Sequence, residues 1–297
     1  MSTAANPVVP ARASLAVIAA LAAVYVLWGS TYLGIRIALE GYPPFLMGAL
    51  RMGAAGALMY AVLRWRGMPA PTRAQWRTLW LLSIWMVLLS NGLVNVAEQE
   101  VSSGLAAIAV ASMPLWAALF SVLRGDHPSR GEWVGLGIGF IGVLWLNAGS
   151  ELAGTPKGMI ALLVAPIAWA WGSISSRSLA LPPPFMSAAA QMLCGSGWML
   201  ATGLLLGERI PAWPELRPTL ALIYLTIFGS IVAFTAYVWL LQNVRPALAT
   251  SYAYVNPPIA VLFGVLLIGE RFSPHALGAM AVILAGVVIV MLSKARR

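Results

Sequence analysis

Ionisable side chains are scarce in this chain. Asp, Glu, Lys and Arg make up 9% of its 297 residues, and only nine are acidic. A soluble domain carries about 25% of such residues, so a water-facing globule of this length is excluded. Disorder is excluded by the opposite feature, a 60% hydrophobic share that no unfolded segment keeps in water. The single cysteine, Cys194, permits no internal disulfide and no thiolate cluster. The two histidines, His127 and His275, fall near loops and read as interfacial side chains. With no His/Cys/Glu cluster, no metal or other cofactor is expected. No carboxylate pair is placed for intramembrane hydrolysis, so an enzyme is not expected either.

Long apolar runs are abundant, and a helix needs about 20 such residues to cross a bilayer. Reading between charged and proline-rich breaks gives ten predicted spans, at 15–35, 45–63, 77–97, 102–123, 133–149, 158–178, 185–206, 219–241, 246–268 and 274–292. The fold class is therefore all-α and integral to a membrane, with no room for a separate soluble domain. The first run is too long for a signal-peptide core and reads as a retained helix. The net charge of +9 sits in short basic clusters between the runs, which favours the bilayer surface over nucleic acid as its partner. With the amino terminus inside, inner segments hold twelve Lys and Arg and outer segments five. Both termini are then expected in the cytoplasm, with the protein in the inner (plasma) membrane.

The chain resembles itself at an offset of 143. Trp28-Gly29-Ser30 recurs as Trp171-Gly172-Ser173, and Pro114 recurs as Pro257. Val101/Val244, Leu105/Leu248, Leu119/Leu262, Phe120/Phe263 and Val122/Val265 keep that register. One inserted residue later, Gly125-Asp126 matches Gly269-Glu270 and Gly142-Val143 matches Gly286-Val287. The expected division is 1–150 and 151–297, five spans in each half. An odd number of spans forces the halves into opposite orientations. Inverted repeats of this kind recur in secondary transporters, with the substrate near the midplane.

Trp28-Gly29-Ser30-Thr31-Tyr32, Pro43-Pro44 and Leu50-Arg51 resemble the opening of the drug/metabolite transporter superfamily, EamA type. Ala249-Thr250-Ser251, Asn256-Pro257-Pro258, Gly269-Glu270, Leu277-Gly278 and Ala285-Gly286-Val287 resemble its closing signature. Within the family the chain is most similar to the YddG-type exporters of aromatic amino acids. The resemblance implies a ten-helix basket whose central cavity is lined mainly by the first, third, fourth, sixth, eighth and ninth helices.

All nine acidic residues fall at span ends or in loops, Glu98, Glu151 and Glu270 among them, so no midplane carboxylate is available for ion coupling. Arg51 is the exceptional charge, about two turns inside the second span, where an unpaired Arg costs about 2.5–3.5 kcal/mol or more. A substrate carboxylate is one candidate partner. Snorkelling, or carbonyls freed at Pro43 and Pro44, is the structural alternative and the favoured one. Trp65, Trp76, Trp80, Trp133 and Trp213 flank span ends as interfacial anchors.

Trp28, Trp85, Trp116, Trp169 and Trp171 fall deeper and are candidates for a substrate cavity. Ser30, Thr31, Asn91, Asn95, Ser173, Tyr237, Tyr252, Tyr254 and Asn256 lie on the helices that the resemblance assigns to that cavity. Pro114 and Pro257 are candidate hinges, since each removes a backbone bond within a span.

The expected function is a carrier that exports small metabolites, amino acids with aromatic or large apolar side chains, by alternating access. Drugs, nucleosides or other metabolites are the alternative cargo on the same fold. An intramembrane enzyme and a passive channel are the alternatives of a different class. Beyond the small solute and the lipid bilayer, no obligate protein partner is expected.

Overall fold

The computed structural model describes residues 11–101, 109–146, 148, 155–210, 214–259 and 274–293. Leu105, Glu151, Trp213, Leu262, Phe263, Val265, Gly269 and Glu270 lie outside the described residues.

Among the described residues the elements are helices. We label them α1 (Ala11–Ala38), α2 (Pro44–Trp65), α3 (Arg73–Glu100), α4 (Met113–Leu123), α5 (Arg130–Leu146), α6 (Pro156–Ser176), α7 (Pro184–Leu205), α8 (Leu216–Asn243), α9 (Pro246–Thr250) and α10 (Pro274–Leu292). Helix returns after Ser251 and runs to residue 259. Six of these helices are long and apolar enough to cross a membrane, namely α1 from Leu15 together with α2, α3, α6, α7 and α8. The helix over Ala109–Leu123 is shorter and apolar, as is Leu277–Leu292.

Local sequence sets the ends. Prolines at the first or second position open α2, α4, α6, α7 and α9, where the missing N–H has no helical partner to lose. Thr72 and Gln75 close a reciprocal capping box on α3. Gly67, Gly125 and Gly207 adopt φ of 79°, 81° and 75° just past α2, α4 and α7, the left-handed cap that glycine enters without a Cβ penalty. Glu208, immediately after the last of these turns, accepts from the backbone N–H groups of Phe45 and Leu46 at 3.2 and 2.8 Å. A carboxylate at the end of α7 thus caps the start of α2. Ser129 and Glu132 form the matching box at α5, and Glu132 also pairs with Arg245 at 2.7 Å.

α3 and α8 are each 28 residues long, longer than the predicted 77–97 and 219–241. Each contains a wider π-helical stretch, Ile84–Gly92 in α3 and Leu225–Phe234 in α8, which a 3.6-residue period does not reveal. Each ends at an extended valine. Val101 has φ −136° and ψ 158°, and Val244 has φ −131° and ψ 170°. Pro114 does not stand in mid-helix: the chain turns at Ser112 and α4 restarts at Met113, because the proline ring would strike the carbonyl four residues earlier.

α2 packs along α7, and α5 along α10. α1 lies against α8, and α6 against α3 and α4. Glycines set the α5–α10 distance. A Cβ on Gly135 would come within 2.7 Å of the Gly286 carbonyl oxygen, and one on Gly142 within 2.9 Å of the Ile283 nitrogen. Such backbone proximity is the usual route to tight pairing in lipid, where burial of apolar surface drives little.

Candidate functional site

Between α1, α2, α3, α6 and the helical stretch after Ser251 lies a cavity of about 80 Å³. α1 supplies Trp28, Thr31, Tyr32 and Ile35; α2 supplies Arg51; α3 supplies Ser90, Asn91 and Val94. Val110, Met113, Ala165, Pro166 and Trp169 form another wall, and Tyr252 and Asn256 complete it. Arg51 is the one formal charge in this lining.

Aromatic rings pack together on one side of the cavity. Trp28 meets Tyr252 edge-on at 4.6 Å, Tyr237 at 5.2 Å and Trp169 at 5.4 Å. Trp169 and Tyr237 lie 5.1 Å apart. Such contacts are worth about 0.5–1.5 kcal/mol each beyond burial. Both buried indole N–H groups are satisfied. Trp28 Nε1 donates to the Gly229 carbonyl at 3.0 Å, and Trp169 Nε1 to the Tyr237 hydroxyl at 2.9 Å. That hydroxyl also pairs with Ser173 Oγ at 2.7 Å. Just past the end of α6, the Arg177 guanidinium donates to the carbonyls of Leu241 and Val244 at 2.6 and 2.7 Å, closing the orphan carbonyls at the end of α8. Burial lowers the Arg177 pKa, with the Asp126 carboxylate opposing.

The structure brings Trp28, Thr31, Asn91, Trp169, Tyr252 and Asn256 together on the cavity wall. Tyr237 and Ser173 stand behind them as hydrogen-bond partners. Ser30 bonds the Leu27 carbonyl and the Tyr224 hydroxyl. Asn95 is not in that wall; its Nδ2 donates to the Pro44 carbonyl at the start of α2, at 3.0 Å. Tyr254 packs against Gly139 of α5. Trp85, Trp116 and Trp171 gather elsewhere, with Phe120 between the last two. Pro257 lies in the helical stretch after Ser251.

Tyr32, Ser90 and Pro166 line the cavity without having been singled out from sequence. Pro166, inside α6, carried the same signal as Pro114, a proline within an apolar span. α8 touches the cavity only through the groups it holds from behind, Gly229, Ser230 and Tyr237. α2 contributes Arg51 to the wall.

Apolar helices of membrane-crossing length around a buried cavity define a multi-pass membrane protein. The model of the EamA-like transporter family matches residues 14–148 and again residues 156–292, so the chain belongs to that family, within the drug/metabolite transporter superfamily, and is a membrane transporter. It is 43% identical over 284 residues to the uncharacterized inner membrane transporter YedA of Escherichia coli (strain K12), covering 95% of this chain and 93% of the relative. The uncharacterized transporter YdfC of Bacillus subtilis is 26% identical over 249 residues, with 82% and 80% covered. A solved crystal structure shares the fold at a TM-score of 0.77 and 22% identity, covering 96% of this chain and 99% of that one.

Proposed function

We propose that this transporter exports small metabolites, amino acids with aromatic or large apolar side chains, by alternating access across the inner membrane. The observation that carries the reading is the cavity wall itself. It sets Trp28, Trp169 and Tyr252 beside neutral hydrogen-bonding groups on Thr31, Ser90, Asn91 and Asn256. A flat apolar solute with a polar end finds both kinds of partner there. At about 80 Å³ the cavity is well below the roughly 300–1,000 Å³ of a small-molecule site, so binding is coupled to its widening.

Two successive family matches, 14–148 and 156–292, support two five-helix halves. The π stretches in α3 and α8 and the extended Val101 and Val244 support their equivalence. On this reading the halves are inverted, ten helices cross the membrane, and both termini are cytoplasmic. No carboxylate lines the described cavity, which favours a carrier driven by the gradient of its solute.

The test is uptake into proteoliposomes of labelled amino acids, nucleosides and cationic drugs, with ionophores present to collapse proton and sodium gradients. Saturable flux of aromatic amino acids, accelerated by counterflow and surviving the ionophores, is the expected result. Flux that rises linearly with concentration and shows no counterflow would mean a channel. A preference for nucleosides or drugs would overturn the cargo assignment.

A further inference from the structure

We propose that Arg51 is the anchor for the carboxylate of the transported solute, and that Asn256 receives the solute's ammonium group. The inference rests on the amino-acid reading above and deepens it. Arg51 stands seven residues into α2 and is 4% exposed, so its guanidinium does not snorkel out of the membrane. Its Nε donates to Ser230 Oγ at 2.7 Å. The Ser230 hydroxyl in turn points to the Met52 sulfur. Among the described residues neither Nη group has a hydrogen-bond acceptor. The ion pairs found there, Lys157–Glu100, Arg217–Glu40 and Arg245–Glu132, leave Arg51 out.

A guanidinium has five N–H donors in a planar fork, and here one of its edges is fixed by Ser230 while the group borders the cavity. A buried cation without a counter-charge is expensive. A carboxylate entering the cavity supplies both the charge and the bidentate geometry that the fork matches.

The second observation is independent. Asn256 is 2% exposed and lines the same cavity, and its Oδ1 has no hydrogen-bond partner. Tyr32 lines the same cavity, and its hydroxyl does not satisfy that oxygen. A buried acceptor left unpaired is costly, and it calls for a donor such as an ammonium N–H. The aromatic group lies beside the anchor, because Gly229 serves both. Its carbonyl holds Trp28 Nε1 at 3.0 Å. A Cβ at that position would come within 2.9 Å of Arg51 Nη2 and 3.0 Å of Thr31 Cγ2. Donors for a carboxylate, an acceptor for an amine and an indole edge thus border one space, which is the pattern of an aromatic α-amino acid.

The experiment is competition against labelled phenylalanine flux in proteoliposomes of the full chain, supported by direct uptake of each compound. Phenylalanine, 3-phenylpropionate and phenethylamine present both charged groups, the carboxylate alone and the amine alone. The expected order is phenylalanine, then phenylpropionate, then phenethylamine at least tenfold weaker than phenylpropionate. R51Q should bring phenylalanine down to the level of the amine, and R51K should restore some of the difference. Because the series is read on the unmodified chain, it decides whether a carboxylate is recognised even if R51Q fails to fold, and R51K then reads the part played by Arg51. If phenylalanine is carried and the amine competes equally well, the amino-acid reading stands and the assignment to Arg51 falls. If phenylpropionate is carried and phenylalanine is not, Arg51 stands and the amino-acid reading falls. If neither carboxylate is carried, both fall.

Discussion

Trp28 is 7% exposed, donates to the Gly229 carbonyl and meets three other rings. Trp171, 143 positions later in the second Trp-Gly-Ser, is half-buried and lies 5.2 Å beneath the Arg124 guanidinium, edge-on to Phe120 and Trp85. The tripeptide is the same, so the difference comes from the helix opposite. Trp28 faces the π stretch of α8, which presents Gly229. At the corresponding position, Met86, the π stretch of α3 presents a thioether, and it fills the space beside Gly172. A glycine on one side leaves a backbone carbonyl and a cavity within reach, while a methionine on the other closes the space. The structure is therefore asymmetric where the sequence repeats.

Three pairs of substitutions break or sharpen that contrast. Trp28→Ala removes a buried ring and leaves the Gly229 carbonyl unpaired, so a loss of about 3–5 kcal/mol in unfolding free energy is expected. Trp171→Ala, at a half-exposed site, should cost about half as much or less. Thermal unfolding of both variants in the same detergent checks this, and equal losses would remove the distinction between the two sites. The serines of the two motifs extend the comparison, since Ser30 bonds Tyr224 and Ser173 bonds Tyr237. Tyr237→Phe strands the Trp169 N–H in a fully buried place, at about 1–3 kcal/mol. Tyr224→Phe, half-buried, should cost less than that in the same assay. The smallest effect on stability is expected from Gly229→Ala. The added methyl meets side-chain atoms only, Arg51 Nη2 at 2.9 Å and Thr31 Cγ2 at 3.0 Å, and each has to give by a few tenths of an ångström, so folding should change by about 1 kcal/mol. Uptake, however, should fall roughly tenfold, equivalent to about 1.4 kcal/mol of binding. Gly137→Ala, where a Cβ meets nothing within 4 Å, serves as the control and should transport like the parent.

Membrane-crossing helices were legible in the sequence because apolar length is a property of composition alone. The nearness of Trp28, Trp169 and Tyr252 was partly legible, since depth along a span can be counted from its ends. Azimuth was not. An α-helical wheel holds its phase only while the turn keeps 3.6 residues, and the π stretches at Ile84–Gly92 and Leu225–Phe234 alter it in α3 and α8. Asn95, chosen with Asn91 from the same helix, bonds the start of α2 while Asn91 lines the cavity, because a carbonyl of α2 comes within reach of the one and not of the other. Arg51 was legible as an anomaly with a substrate carboxylate as one candidate partner, but the structural role was favoured, because Ser230, which orients it, lies 179 positions away.

The glycine seam of α5 and α10 has a consequence for how such a protein can change over generations. Neither helix gives a described side chain to the cavity. A Cβ on Gly139 or Gly286 would lie within 2.7 Å of an atom that cannot yield cheaply, the Tyr254 ring in one case and opposing backbone in the other. Replacements at these glycines therefore disturb the packing of α5, whereas Ser90, Val94 and Val110 line the cavity. The positions that hold this scaffold together and those that shape the cavity fall on different helices. A lineage can thus reshape the cavity without repeatedly endangering the scaffold that surrounds it.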